Sequence, residues 1–283
     1  MPHHDIVHRI IYSSPGGSTK HVAEVIEAAL LQAGAPVDTL ELWRGNQRTT
    51  PLTTPPEGQR LCLWIGSPVY ALHPVPPVLE LIDRLVVCSR ECFAVPFATY
   101  GGVTSGTALE DMGRALVAKG YGLLGAAKLL AVHSSLWQSD EPLGQGHPDH
   151  EEDELTRSLV QEVLQRLAHS VPQGIGSQAL AYQPQKVLDR AAEINLETAM
   201  AAHPGFTVHS ERCTQCGICE EHCPSGAIKL DDRPVFGEDC FLCHRCVRLC
   251  PEAAITTDTQ STEQRIRGLA EYFQESPPSS VFL

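Results

Sequence analysis

Long apolar runs are missing from this 283-residue chain: the longest nearly apolar stretch, Leu123 to Val132, falls far short of the ~20 residues that span a bilayer. No membrane span is expected. Runs of Lys or Arg are missing too, and 34 acidic against 21 basic residues leave a formal charge of −13, which repels phosphate backbones. Nucleic acid is therefore not an expected partner. Aromatic residues are only 6%, but 42% apolar and 19% charged residues make a globular balance that excludes wholesale disorder. The opening MPHHDIVHR is polar and does not read as an export signal, so a soluble, cytoplasmic protein is expected. Cysteine is scarce over the first two hundred residues, where only Cys62, Cys88 and Cys92 occur, yet eight of the 11 cysteines fall between Cys213 and Cys250. Disulfide scaffolds are small and secreted, so this crowding points to another chemistry.

The length is about twice the roughly 150 residues of a single domain, so two compact units are expected. Over the first ~170 residues strand-like and helix-like segments alternate. Strands are read at Asp5 to Tyr12, Val37 to Leu42, Leu61 to Ile65, Cys92 to Thr99 and Leu123 to Val132. Helices are read from Val22 to Ala33 and near Val75 to Leu85, Thr107 to Lys119 and Leu155 to Ala168. That alternation predicts an α/β domain over 1–170, a doubly wound parallel sheet whose ligands sit at the carboxyl ends of its strands. Residues 171–205 read as a linker with one helix around Val187 to Ala199, 206–258 as the cysteine unit, and 259–283 as a terminal helix (Gln264 to Phe273) and a mobile Pro/Ser tail.

The cysteine unit repeats after 27 residues: CTQCGICEEHCPSGAI from Cys213 aligns with CFLCHRCVRLCPEAAI from Cys240. Each half reads C-x2-C-x2-C-x3-C-P. Three thiolates so spaced reach three corners of an iron-sulfur cube, and the fourth cysteine ligates the other cube. One 4Fe-4S cluster would take Cys213, Cys216, Cys219 and Cys250, and the other Cys240, Cys243, Cys246 and Cys223. Structural zinc uses two separated cysteine pairs, which leaves a third close cysteine without a place. The unit closely resembles the bacterial-type two-cluster ferredoxins, a small α+β domain, and the resemblance implies single-electron transfer.

Tyr12 to Lys20 reads YSSPGGSTK, which ends a strand, turns and opens a helix. Exposed amides there, with Ser14, Ser18 and Thr19 hydroxyls and the close approach allowed by Gly16 and Gly17, outline a monophosphate site. A capped helix explains the same residues without a ligand. Two further loops, WIGSPVY (Trp64 to Tyr70) and ATYGG (Ala98 to Gly102), emerge at the same sheet edge. Their Tyr70 and Tyr100 offer faces to a planar ring, and the backbones of Ser67, Pro68, Val69, Thr99, Gly101 and Gly102 can meet its polar edge. The domain resembles a flavodoxin. That family's Ser/Thr-x-Thr-Gly-Asn-Thr loop falls on Ser14 to Thr19, with Gly16 in place of the middle Thr and Ser18 in place of Asn, so one hydroxyl contact is lost. Nearly the whole chain resembles the flavodoxin-ferredoxin fusion proteins, which implies FMN at the three loops.

Other signals carry less. Gly120, Gly122 and Gly125 spell G-x-G-x-x-G but follow a helical pattern, so they read as a helix stop. His147, Asp149 and His150 before four acidic residues read as a helix start rather than a metal cluster. Cys88 and Cys92 read as buried free thiols in preference to a redox switch, and Cys62 as core. Ser134 to Gly146, with Trp137 near the ring, would be a lid. The expected function is that of an electron carrier linking FMN to two clusters and to redox partners with basic patches, attracted by the acidic surface. The alternatives are an FMN-dependent reductase of a quinone or other small acceptor, and a redox sensor or assembly scaffold. No acid-base pair stands out near the loops, which favours the carrier. Transfer between flavin and cluster would run within one chain, or between chains in a symmetric homodimer.

Overall fold

β1 (Ile6–Tyr12) is a β-branched strand buried on both faces, and α1 (Ser18–Gln32) follows, burying Val22, Ala23, Ile26 and Leu30 on one stripe. The protein is described from a computed structural model over residues 6–43, 59–88 and 91–283; Asp5, the first residue of the expected β1, lies outside this range. The chain continues through β2 (Val37–Glu41), β3 (Arg60–Tyr70), β4 (His73–Pro74), α2 (Pro76–Arg84), β5 (Cys92–Tyr100) and α3 (Ala108–Ala118). Next come β6 (Gly122–Leu123), β7 (Ala126–Leu130), α4 (His150–Leu167), α5 (Gln185–Glu193) and α6 (Leu196–Ala201). The cysteine unit holds β8 (Thr207–Val208), α7 (Ile218–Glu221), β9 (Ile228–Leu230), β10 (Pro234–Phe236), α8 (Arg245–Leu249) and β11 (Ile255–Thr256). Finally come α9 (Thr259–Phe273) and β12 (Ser280–Phe282).

Strands β2, β1, β3, β5 and β7 lie side by side and parallel. Counted without the short β4 and β6, this is the 2-1-3-4-5 order of the flavodoxin-like doubly wound sheet, whose ligand crevice opens at the switch point between β1 and β3. Two apolar layers bury the sheet: Ile10, Trp64 and Phe97 pack with α1 and α4, while Leu63, Ile65 and Ala94 pack with α2 and α3. Burial on both faces is why β3 reads as a continuous apolar run rather than an alternating one. Gly120, at φ +83°, ends α3 as the sequence indicated. Asp149 caps α4 in a capping box with Glu152, which explains the acidic run at its start. His147 Nδ1 sits 2.6 Å from the Glu152 carboxylate within that cap.

Three expectations need correction. Cys88 and Cys92 are paired as a disulfide, not free; their Cα atoms lie 6.1 Å apart at the start of β5, inside the bridging range. The helix expected over Val187 to Ala199 is two, α5 and α6, because Asn195 breaks the first and caps the second by accepting from Thr198 N–H. The tail does not hang free: β12 pairs antiparallel with β7, setting Val281 opposite Ala127.

Glu275 fixes that tail. Its carboxylate is 7% exposed and pairs with Lys128 of β7, itself 3% exposed. It also accepts hydrogen bonds from Thr104 Oγ1 at 2.6 Å, Ser105 N–H at 2.7 Å and Gln183 Nε2 at 3.2 Å. Burial pushes the carboxyl pKa up, but the bonds from Lys128, Ser105 and Thr104 outweigh it and hold it below its ordinary value. This stabilisation is complete above the unfolded carboxyl pKa of about 4.3 and is lost as pH falls through the lower folded value. Lys128→Met strands a buried carboxylate and is expected to cost about 3–5 kcal/mol, read by urea unfolding at pH 7. A loss under 1 kcal/mol would show that the tail does not depend on the pair.

Candidate functional site

The carboxyl ends of β1, β3, β5 and β7 surround a cavity of about 400 Å³. From the first loop Gly16, Ser18 and Thr19 line it; Thr19 Oγ1 meets Thr99 Oγ1 at 2.8 Å, which ties the first loop to the third. Pro68, Val69 and Tyr70 line it from the second loop, and Thr99, Tyr100 and Gly101 from the third. The other four expected residues are not among its lining. Ser14 Oγ accepts from Lys20 N–H at 2.9 Å, and Gly17 takes the left-handed N-cap of α1 at φ 99°. Ser67 Oγ accepts from Val75 N–H at 2.9 Å, and a Cβ on Gly102 would stand 3.3 Å from Leu143 Cβ. They shape the wall without reaching the cavity.

Sequence reasoning missed the rest of the lining. The loop after β7 brings Ala131 to Ser135, a place the sheet-edge rule could have predicted. Residues of α5, α6 and α9 roof the cavity, among them Glu193, Leu196, Arg265 and Ile266, and no motif marks them. Phe241, Leu242 and His244, from the second cysteine loop, form a wall of the same cavity. Arg245 Nη1 and Arg248 Nη2 each donate to Pro15 O at 3.3 Å, which seats that loop on the first sheet loop. Burial, and then the nearby Cys243, push the Tyr70 phenol pKa up, while its hydroxyl lies 3.1 Å from Ser134 Oγ. Trp137 is not among the lining residues; it packs on His244 with ring centroids 5.1 Å apart. The expected lid is tied down instead: His133 N–H donates to Leu143 O, and Arg267 of α9 donates to Glu141 O.

The thiols gather in two groups. Cys213, Cys216 and Cys219 line a small cavity together with Cys250 from the other half of the repeat. Cys223 approaches Cys240, Cys243 and Cys246: burial raises the Cys246 thiol pKa, and the other three sulfurs raise it further. Burial likewise pushes Cys243 up to about 12. Crowded, buried sulfurs of this kind resist ionisation unless a cation shares the site, so the donor set fits a metal cluster. The backbone repeats with the sequence. Gln215 and Leu242, both at φ 57°, and Gly217 (φ 79°) and His244 (φ 54°) are left-handed pairs 27 residues apart. These turns wrap each loop inward and leave amides free for sulfur, as in Leu242 N–H to Cys240 Sγ at 3.4 Å and Ala254 N–H to Cys250 Sγ at 3.2 Å.

Residues 206–229 match the 4Fe-4S binding domain family, a match that covers the first of the two repeats. NADH-quinone oxidoreductase subunit I of Carboxydothermus hydrogenoformans is 50% identical over 28 residues, which are 10% of this chain and 20% of that protein. The chain thus spans about a fifth of the curated relative it matches. Among solved structures, a flavodoxin from the domain Archaea is 16% identical with a TM-score of 0.43, covering 58% of this chain and 99% of that one. Rubredoxin oxygen:oxidoreductase from Desulfovibrio gigas is also 16% identical with a TM-score of 0.43, covering 58% of this chain and 36% of that one. The strand order and the cysteine repeat define the class: a flavodoxin-like sheet domain joined to a 4Fe-4S ferredoxin-type unit. This is the organisation of a flavodoxin–ferredoxin fusion. Among the described residues no helix is long and apolar enough to cross a membrane.

Gly101 sets the depth of the cavity. A Cβ there would stand 2.7 Å from His133 Cα and 2.8 Å from His133 Cβ, so the loop after β7 approaches only a residue without a side chain. Gly101→Ala is expected to displace that loop and to cost about 1–3 kcal/mol in denaturant unfolding. An unchanged midpoint would show that the loop is free to move.

Proposed function

We propose that the protein transfers electrons between FMN held at the sheet edge and two 4Fe-4S clusters, and through the clusters to partner proteins. One observation carries the reading: the cavity edged by three sheet loops is walled on another side by Phe241, Leu242 and His244, which belong to a cysteine loop. FMN, when bound, supplies both one- and two-electron chemistry, which single-electron clusters lack. Gly16, Ser18 and Thr19 would hold its phosphate, while Val69, Tyr70 and Tyr100 would border its ring. Cys213, Cys216, Cys219 and Cys250 would hold one cluster, and Cys240, Cys243, Cys246 and Cys223 the other. Phe241 and Leu242 exclude water between the cavity and the second thiol group, and Arg245 and Arg248 keep that group seated on Pro15.

The seating favours exchange within one chain over exchange between two. It also divides the cysteine loops by role. The second faces the cavity, whereas the first carries the exposed Cys216 and is the side open to partners. With a formal charge of −13, the chain suits partners with basic patches, and their association would weaken as salt rises. A cytoplasmic location suits the reduced thiolates that the clusters need.

Anaerobically purified protein is expected to contain about eight iron, about eight sulfide and about one FMN per chain. Cys250→Ala should lower iron to about four, and adding Cys213→Ala should lower it no further, because both thiols serve one cluster. Cys213→Ala with Cys223→Ala should remove nearly all iron. Complete loss in the Cys213/Cys250 pair would overturn the crossed assignment, and wild-type protein that binds iron but no flavin would overturn the adaptor role.

A further inference from the structure

The cavity takes part of its wall from a loop that backbone hydrogen bonds do not hold. Phe241, Leu242 and His244 line it, and each is the immediate neighbour in sequence of Cys240 or Cys243. From Glu238 to Cys243 no backbone carbonyl or amide pairs with another backbone group among the described residues. The amides turn to sulfur instead, Leu242 N–H meeting Cys240 Sγ at 3.4 Å. Leu242 at φ 57° and His244 at φ 54° also occupy the left-handed region that favours glycine. A loop of this kind is ordered by what its thiols bind, because a ligand position stands at each end of every wall segment.

The same loop grips the sheet domain. Phe241 is 5% exposed and, with Cys243, belongs to the apolar layer of Leu63 and Ile65. Arg248 Nη2 donates to Cys243 O at 3.4 Å and to Pro15 O at 3.3 Å, so one guanidinium joins a ligand residue to the loop that carries Gly16. The first cysteine loop is placed differently. Cys213, Cys216 and Cys219 line a small cavity whose residues all come from the cysteine unit, and no residue of that loop lines the larger cavity. The two halves of the repeat are thus alike toward metal and unlike toward the flavin site.

We propose that the flavin site is completed by metal: ligation at Cys240, Cys243, Cys246 and Cys223 fixes the wall from Phe241 to His244, so the chain holds FMN tightly only once its second cluster is in place. The first cluster makes no such contribution. This rests on the flavin reading and adds to it an order of loading, the second cluster before the flavin. Linkage makes the effect reciprocal: bound FMN must strengthen the hold on the second cluster by the factor that the cluster strengthens the hold on FMN. Phe241 and Leu242 act here as positioning residues, carrying the state of the thiols to the cavity.

The test uses anaerobic full-length protein freed of flavin, with FMN dissociation constants from equilibrium dialysis and iron counted in each sample. Cys223→Ala and Cys213→Ala both lie in the first half of the repeat, outside the wall, and each should keep about four iron, the former losing the second cluster and the latter the first. Cys223→Ala is expected to weaken FMN binding about tenfold, and Cys213→Ala to change it by less than about twofold. Leu242→Ala should keep about eight iron yet weaken FMN about threefold, and adding it to Cys223→Ala should cost nothing more, because the wall is already lost. Equal FMN constants in the two cysteine variants, or full additivity of Leu242→Ala with Cys223→Ala, would overturn the coupling. Should Cys223→Ala retain no iron, the reverse direction decides. In Cys213→Ala protein, which keeps the second cluster alone, saturating FMN is expected to slow iron release to a chelator several-fold, and an unchanged rate would overturn the proposal. Wild-type protein with its full iron that binds no FMN would overturn the flavin reading itself, a result distinct from failure of the coupling.

Discussion

Two guanidinium groups share one carbonyl oxygen, Pro15 O, and through it the cysteine unit is joined to the edge of the sheet. Pro15 lies in the turn between β1 and α1, where the strand order reverses and a doubly wound sheet opens its crevice. Hydrogen bonds from a charged donor are stronger than neutral ones, and two of them restrict the loop in two directions. Phe241 and Cys243 add to this contact by packing into the apolar layer that also holds Leu63, Ile65 and Ala94.

The second support comes from the far end of the chain. β12 covers the exposed edge of β7, and Glu275, buried against Lys128, fixes the connection between α9 and that strand. An edge strand left bare invites pairing with another chain, so the tail protects the sheet as well as holding α9 in place. α9 in turn meets the short helical turn at Ser134 to Leu136, whose first residue stands beside Gly16. Roof, wall and first sheet loop thus form one continuous contact.

What the sequence disclosed follows from the range of each interaction. The five parallel strands and their helices were legible because burial on both faces writes long apolar runs. The thiol groups were legible because three of every four cysteines lie within six residues of one another. The Cys88–Cys92 bridge was misread because two thiols four residues apart look alike in sequence whether or not the fold brings them together. The tail was misread for a similar reason: Ser, Pro and Glu signal a solvated end unless Lys128, 147 residues earlier, is known to be their partner. Arg265 left no trace at all, since a lone arginine on an amphipathic surface helix reads as solvated.

The left-handed residues show where local preference yields to the site. Gln215, Leu242 and His244 adopt positive φ although each carries a Cβ, a conformation that costs of order 1 kcal/mol apiece and is retained where the surroundings demand it. The two halves do not bear that strain equally. The first half uses Gly217 at the position where the second uses His244. A glycine there would relieve the backbone, and the first half builds the same turn around glycine. The second half differs in facing the cavity, and His244 lies against Trp137, Phe206 and His203. His244 thus accepts backbone strain where its ring makes these contacts and, with Phe241 and Leu242, walls the cavity, a role the first half of the repeat lacks.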